Sequence, residues 1–197
     1  MHASQAKTDR VQLLRQEYRE EIRDIRAEDL VFIDETGVNL MMVRLYARAL
    51  KGERATGERP YKQGSNVTLI GAMSLNGIVA ALTLDGGING DVFKYFIEYI
   101  LVPNLWIGAC VVMDNLSSHA VDEIRELIEA AGAKLVYLSP YSPDFNPIEN
   151  CWSKVKEFLR SVAARSREAL DQAITDALNA VTLKDIKGWF TYRCYCT

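Results

Sequence analysis

Apolar and polar positions repeat with two different periods along the chain. Residues 10–28 carry Val11, Leu14, Tyr18, Ile22 and Ile25 at spacings of three or four among many charges, which predicts a helix with a narrow apolar stripe. Leu30–Ile33 follows as an unbroken apolar run that stops at Asp34 and Glu35. Such a run reads as a strand over 30–34 buried on both faces. The segment 66–84, NVTLIGAMSLNGIVAALTL, reads as two strands joined at Asn76-Gly77, the pair preferred in tight hairpins. GGINGDVFKYFIEYILVP then breaks on glycine and continues as an apolar-rich helix stopped near Pro103.

The second half repeats the theme with shorter strands. Cys110–Met113 is again wholly apolar and again ends on an acid, Asp114. Ser117 and Ser118 suit a helix N-cap, Asp122 and Glu123 a first turn, and Gly132 a stop. KLVYL at 134–138 is a fifth strand. The loop SPYSPDFNP holds three of the five prolines. Asn146 suits an N-cap and Pro147 the first helical position, opening a helix whose Ile148, Trp152, Val155, Leu159 and Val162 share a face. A last helix over 167–181 carries Leu170, Ile174, Leu178 and Val181. This order predicts an α/β fold, a mixed five-stranded sheet flanked by helices on both faces.

Loops at strand ends make the sites of such sheets, because side chains there leave the core while their backbone stays anchored. Asp34 and Asp114 both fall at the ends of buried strands. If those strands run parallel as neighbours, the two carboxylates stand side by side, where they require either a shared proton or a hard cation. Glu149, at the start of a helix fixed by Asn146-Pro147, supplies a third oxygen ligand, and three acids suit magnesium. Taken singly, each acid has a plainer reading: Asp34 or Asp114 closing a turn, and Glu149 capping its own helix as the fourth residue of Asn146-x-x-Glu149. Trp152, on the apolar stripe, reads as core.

Composition narrows the partners. The chain has 197 residues, 49% hydrophobic and 25% charged, with a formal net charge of −3, which fits one globular domain with a sizeable core. The four cysteines fit reduced packing residues, and two histidines argue against a histidine-rich metal site. No apolar run reaches the roughly 20 residues that span a bilayer, and no signal-peptide core opens the chain, so the expected location is cytoplasmic. Between 44 and 62 the charge is uneven: Arg44, Arg48, Lys51, Arg54, Arg59 and Lys62 face only Glu53 and Glu58. That segment is either a solvated loop or one that tracks phosphates.

The segments DETG, DNLSSH and LSPYSPDFNPIENCWSKVKEFLR together resemble the catalytic domain of DDE transposases, of the bacterial insertion-sequence group related to Tc/mariner elements. Thirty-four residues separate Asp114 from Glu149, the separation that group shows. RLYARALKGERA, NVTLIGAMS and WFTYRCYCT also resemble it, so the likeness covers about residues 28–197. It implies an RNase H-like catalytic domain over 29–197, preceded by a helical linker over 1–28. In it Asp34, Asp114 and Glu149 would hold two Mg2+ ions, with Mn2+ as a substitute, cut DNA at a transposon end and join the freed 3′-hydroxyl to target DNA. Asn115 and His119 match the family's DN…H pattern and would lie near the bound phosphate or orient Asp114. The basic segment falls where relatives carry a loop that contacts DNA and the partner subunit. The expected partners are therefore transposon ends, target DNA, and a second copy or a separately encoded N-terminal DNA-binding segment, with nucleoid association and no membrane. Complete members carry helix-turn-helix modules before the catalytic domain, whereas only about 30 residues precede the first strand here. A rival reading is therefore a truncated transposase that binds partner subunits and regulates transposition without catalysis. A nuclease acting on RNA–DNA hybrids shares the metal chemistry but not the proline-rich loop.

Overall fold

The computed structural model describes residues 8–58, 60–61, 64, 66–114 and 121–195. Five strands form one sheet in the order β3-β2-β1-β4-β5: β1 (Leu30–Val38), β2 (Val67–Ser74), β3 (Gly77–Asp85), β4 (Cys110–Met113) and β5 (Lys134–Tyr137). β2 runs antiparallel to both β1 and β3, while β4 and β5 run parallel to β1. β1 is thus the centre of the sheet and the boundary between its two pairing modes.

Strand alternation sends successive side chains to opposite faces, and the two cores follow it. Leu30, Phe32, Cys110 and Val112 pack on one face with α4 (Ile148–Val162), α5 (Arg167–Asn179), α6 (Leu183–Tyr192) and Tyr18 of α1 (Asp9–Ile22). Val31, Ile33, Val111 and Met113 pack on the other with the α2 segment (Gly90–Tyr95, continued by a wide helical turn over Phe96–Leu101) and α3 (Val121–Ala130). The central strands are therefore apolar at every position of the double-sided region, as the sequence predicted.

Several boundaries differ from the sequence reading. β1 does not stop at Asp34 but continues to Val38, because β2 keeps pairing with it as far as Val38↔Val67. The parallel ladder with β4 runs only over Leu30↔Cys110 to Phe32↔Val112. Asp34 is therefore a mid-strand residue just past the stretch where β1 is paired on both sides. In the hairpin, Leu75 and Asn76 form the turn and Gly77, at φ 139°, begins β3. Only glycine takes that backbone conformation readily. Val162 is half exposed and leaves the apolar face of α4, where Cys151 takes its place. The last predicted helix ends at Asn179, and Thr182 opens a further helix, α6, with a reciprocal cap to Asp185 that the sequence reading missed. The predicted cap at Ser117-Ser118 lies outside the described residues.

Candidate active site

The predicted acids belong to three elements, β1, the end of β4 and α4. Positions 30, 32 and 34 share the face of the sheet covered by α4, and so do 110, 112 and 114. Continuing the parallel register of β1 and β4 by two places sets Asp34 opposite Asp114, on neighbouring strands about 4.8 Å apart. Glu149 projects from the first turn of α4. Asp34 is half-buried, whereas Asp114 and Glu149 are exposed.

Electrostatics shows that the acids sense one another. The Asp34 carboxyl is pushed up to about 7, first by burial, then by the negative charges of Glu149 and Asp114; hydrogen bonds from the Glu35 backbone and the Trp152 side chain oppose the rise. Burial also raises Asp114. Among the described residues none of the three acids forms an ion pair, so no lysine or arginine offsets their charge. As they lie, no three His, Cys, Asp or Glu side chains among the described residues are gathered closely enough to hold a metal. The donor types nonetheless suit a hard cation: carboxylates from β1, from the end of β4 and from the first turn of α4 are hard oxygen ligands whose like charges need a counter-charge.

The cap reading of Glu149 does not hold. Pro147, not Asn146, is the N-cap residue, and no side chain caps the helix. Asn146 is buried with its Oδ1 lacking a hydrogen-bond partner. Glu149 is thus not consumed by its own helix.

The loop leading to Glu149 is anchored by distant chain. Arg15 of α1 donates to Ser142 Oγ (2.8 Å) and to both carboxylate oxygens of Asp144 (2.9 and 2.5 Å), and Ser142 Oγ meets Ser139 Oγ at 2.7 Å. Tyr195 donates from its hydroxyl to the Phe145 carbonyl (2.6 Å) and meets the Tyr18 hydroxyl at 2.7 Å. The Tyr18 and Phe145 rings stack, with the Arg15 guanidinium over Phe145. Next to Glu149, Asn150 Oδ1 accepts two bonds from Arg193 (3.1 and 2.8 Å). Most of these tethers come from helices far away in sequence, and no local pattern announces them.

Two further groups escaped the sequence reading. Glu35 has its carboxyl raised by burial and by Asp114, so a fourth carboxylate senses the site. Trp152, expected as core, is indeed buried, but its indole N–H donates to Asp34 Oδ2 at 3.1 Å. Its place three residues after Glu149, on the same helical face, was the available signal. Of the supporting residues, Asn115 and His119 lie outside the described residues. In the basic segment Arg44, Arg48, Lys51 and Arg54 are exposed and form no ion pair among the described residues, while Arg59 and Lys62 lie outside them. Arg44, Tyr46 and Arg48 line a hollow of ≈ 670 Å³ with Ser153, Glu157 and Arg160 of α4.

This sheet order, with helices on both faces and acids at its centre, defines an RNase H-like domain. The chain belongs to the DDE superfamily endonucleases, whose family model matches residues 29–171. Its fold is similar to that of Mos1 mariner transposase in the paired-end complex with Mn (16% identity, TM-score 0.78, 99% of this chain and 61% of that one). It is also similar to the Mos1 transposase paired-end complex with left transposon end (17%, 0.76, 93% and 59%) and to the isolated Mos1 catalytic domain (13%, 0.68, 99% and 92%). The chain thus spans about 60% of the length of the Mos1 chains in those complexes. No curated protein matches it. No helix among the described residues is long and apolar enough to cross a membrane.

Proposed function

We propose that the chain is the catalytic part of a transposase, of the bacterial insertion-sequence group related to mariner, that cuts transposon-end DNA and joins the 3′-hydroxyl to target DNA. The observation that carries this is the placement of Asp34 and Asp114 on one face of two parallel strands, with the charge of Glu149 felt at Asp34. Asp34, Asp114 and Glu149 would hold two Mg2+ ions, replaceable by Mn2+, and such ions would supply positive charge for the attacking and leaving oxygens. The protein's own work is positional. β1 and β4 fix two carboxylates against a rigid sheet, and α4 brings the third, so that a phosphodiester is held in line for attack.

Arg44, Arg48, Lys51, Arg54, Arg59 and Lys62 contact the DNA backbone, and Asn115 and His119 serve the metal-bound phosphate or orient Asp114. The chain works with a second copy of itself or with a separately encoded N-terminal DNA-binding segment, the stretch before residue 29 serves as a linker, and the protein acts at the nucleoid. Loading the purified chain with iron(II) and generating radicals tests the site without a known DNA sequence. Backbone cuts clustered near 34, 114 and 149, suppressed by Mg2+ and lost in Asp114→Asn, are expected. Scattered cuts would return the chain to the role of a non-catalytic regulator.

A further inference from the structure

Three features of the α4 face meet at one point. Asp34 pairs with Gly71 across the β1–β2 ladder. The Trp152 ring lies against that glycine so closely that a Cβ there would stand 2.5 Å from Cη2 and 3.2 Å from Cζ2. The same indole donates its one proton to Asp34 Oδ2. Gly71 is extended strand, not a turn, so the backbone conformation does not demand glycine; the ring does.

We propose that Trp152 is a positioning residue for the metal-holding carboxylate of Asp34, with Gly71 as the gap in β2 that admits its ring. The inference rests on the metal-site reading above and extends it to residues that bind no metal themselves. Its physical basis is the chemistry of the indole, which donates and never accepts or carries charge. A buried N–H of this kind must find an acceptor, and here it finds one oxygen of the acid, fixing the plane of that carboxylate. Because Trp152 and Glu149 sit one turn apart on α4, the bond ties the strand's acid to the helix that carries another. Two ligands from different elements thereby share one frame before any cation arrives. Outer partners of metal ligands act in this way elsewhere, and their loss commonly weakens metal affinity 10–100-fold.

The test is Mn2+ affinity, followed by the loss of the free-ion paramagnetic resonance signal, with melting temperature recorded for each variant. Trp152→Phe is expected to weaken Mn2+ binding at least tenfold. Placing benzothienylalanine at 152, which keeps the ring's shape and replaces N–H by sulfur, should do the same if Phe disturbs folding. Trp106→Phe is the control, since Trp106 also donates its indole proton to an aspartate, Asp29 at 3.2 Å, away from the three acids; its Mn2+ affinity should equal wild type. Wild-type affinity in the benzothienylalanine variant would overturn the proposal and leave Trp152 as packing alone. Failure of the wild-type chain itself to bind Mn2+ would instead overturn the metal-site reading, and this inference with it.

Discussion

Asp34 and Asp114 occupy matching places on adjacent strands, yet the protein holds them differently. Asp34 stands inside a nine-residue strand, beside β2, under a buried tryptophan that donates to it. Asp114 follows a four-residue strand, is exposed, and has no hydrogen bond or ion pair among the described residues. Burial raises both carboxyls, but one is held by a hydrogen bond from a buried indole and the other is not. The difference shows that a carboxylate site need not be built evenly.

The largest effect is expected from removing any one acid's charge. Asp34→Asn, Asp114→Asn and Glu149→Gln should each bring metal-dependent DNA nicking to background, and retention of nicking by any one would remove it from the site. Stability then separates the two aspartates. Gly71→Ala forces the indole off its place over Asp34 and should lower unfolding stability by about 1–3 kcal/mol, the usual cost of overpacking, as read by urea melts; Asp114→Asn should leave the midpoint near wild type.

Titration sharpens the contrast further. With the Asp34 carboxyl raised from an ordinary 3.8 to about 7, the folded chain holds a proton that the unfolded chain has released between those values. The stability this group contributes is therefore complete below the ordinary value, declines as pH rises, and is lost above the raised one. Asp34→Asn has no such proton, so its melting temperature should gain on wild type as the pH rises through that window without metal. An equal gain at both ends would show that Asp34 is not desolvated. Tyr195→Phe removes the hydroxyl that holds the Phe145 carbonyl and should cost about 1 kcal/mol in chemical unfolding. Smallest of all, neutralising Arg48 and Lys51 together should leave folding unchanged and reduce the slope of log affinity for DNA against log salt by about 0.9 for each phosphate no longer neutralised.

The sheet was legible because its central strands are buried on both faces and say so in four-residue apolar runs. The placement of Asp34 and Asp114 on neighbouring parallel strands was legible because both residues end those runs. What stayed hidden has a physical reason in each case. The extension of β1 beyond Asp34 depends on pairing with β2, a separate segment of the chain, and not on its own composition. Asn146 was read as a cap from local preference, but the chain enters α4 through Pro147 and leaves Asn146 buried. Trp152 sat on an apolar stripe, where periodicity counts a tryptophan as hydrophobic and ignores its single polar atom. α6 was missed although Thr182 and Asp185 form its reciprocal cap and Leu183, Ile186, Trp189 and Phe190 keep helical spacing; Gly188 inside the run lowers its intrinsic helix preference.

The Tyr18–Tyr195–Phe145 anchor has a consequence for how the molecule is made. The loop before Glu149 is tied by residue 18, which leaves the ribosome long before it, and by residue 195, which leaves well after it. Contacts this far apart in sequence are formed late, after the entropy of closing a long loop has been overcome. The sheet and its two aspartates can therefore assemble on a nascent chain while the segment that delivers the third acid still lacks one of its tethers. The loop that leads into α4 is therefore fully tethered only after the synthesis of α6 and the turn beyond it.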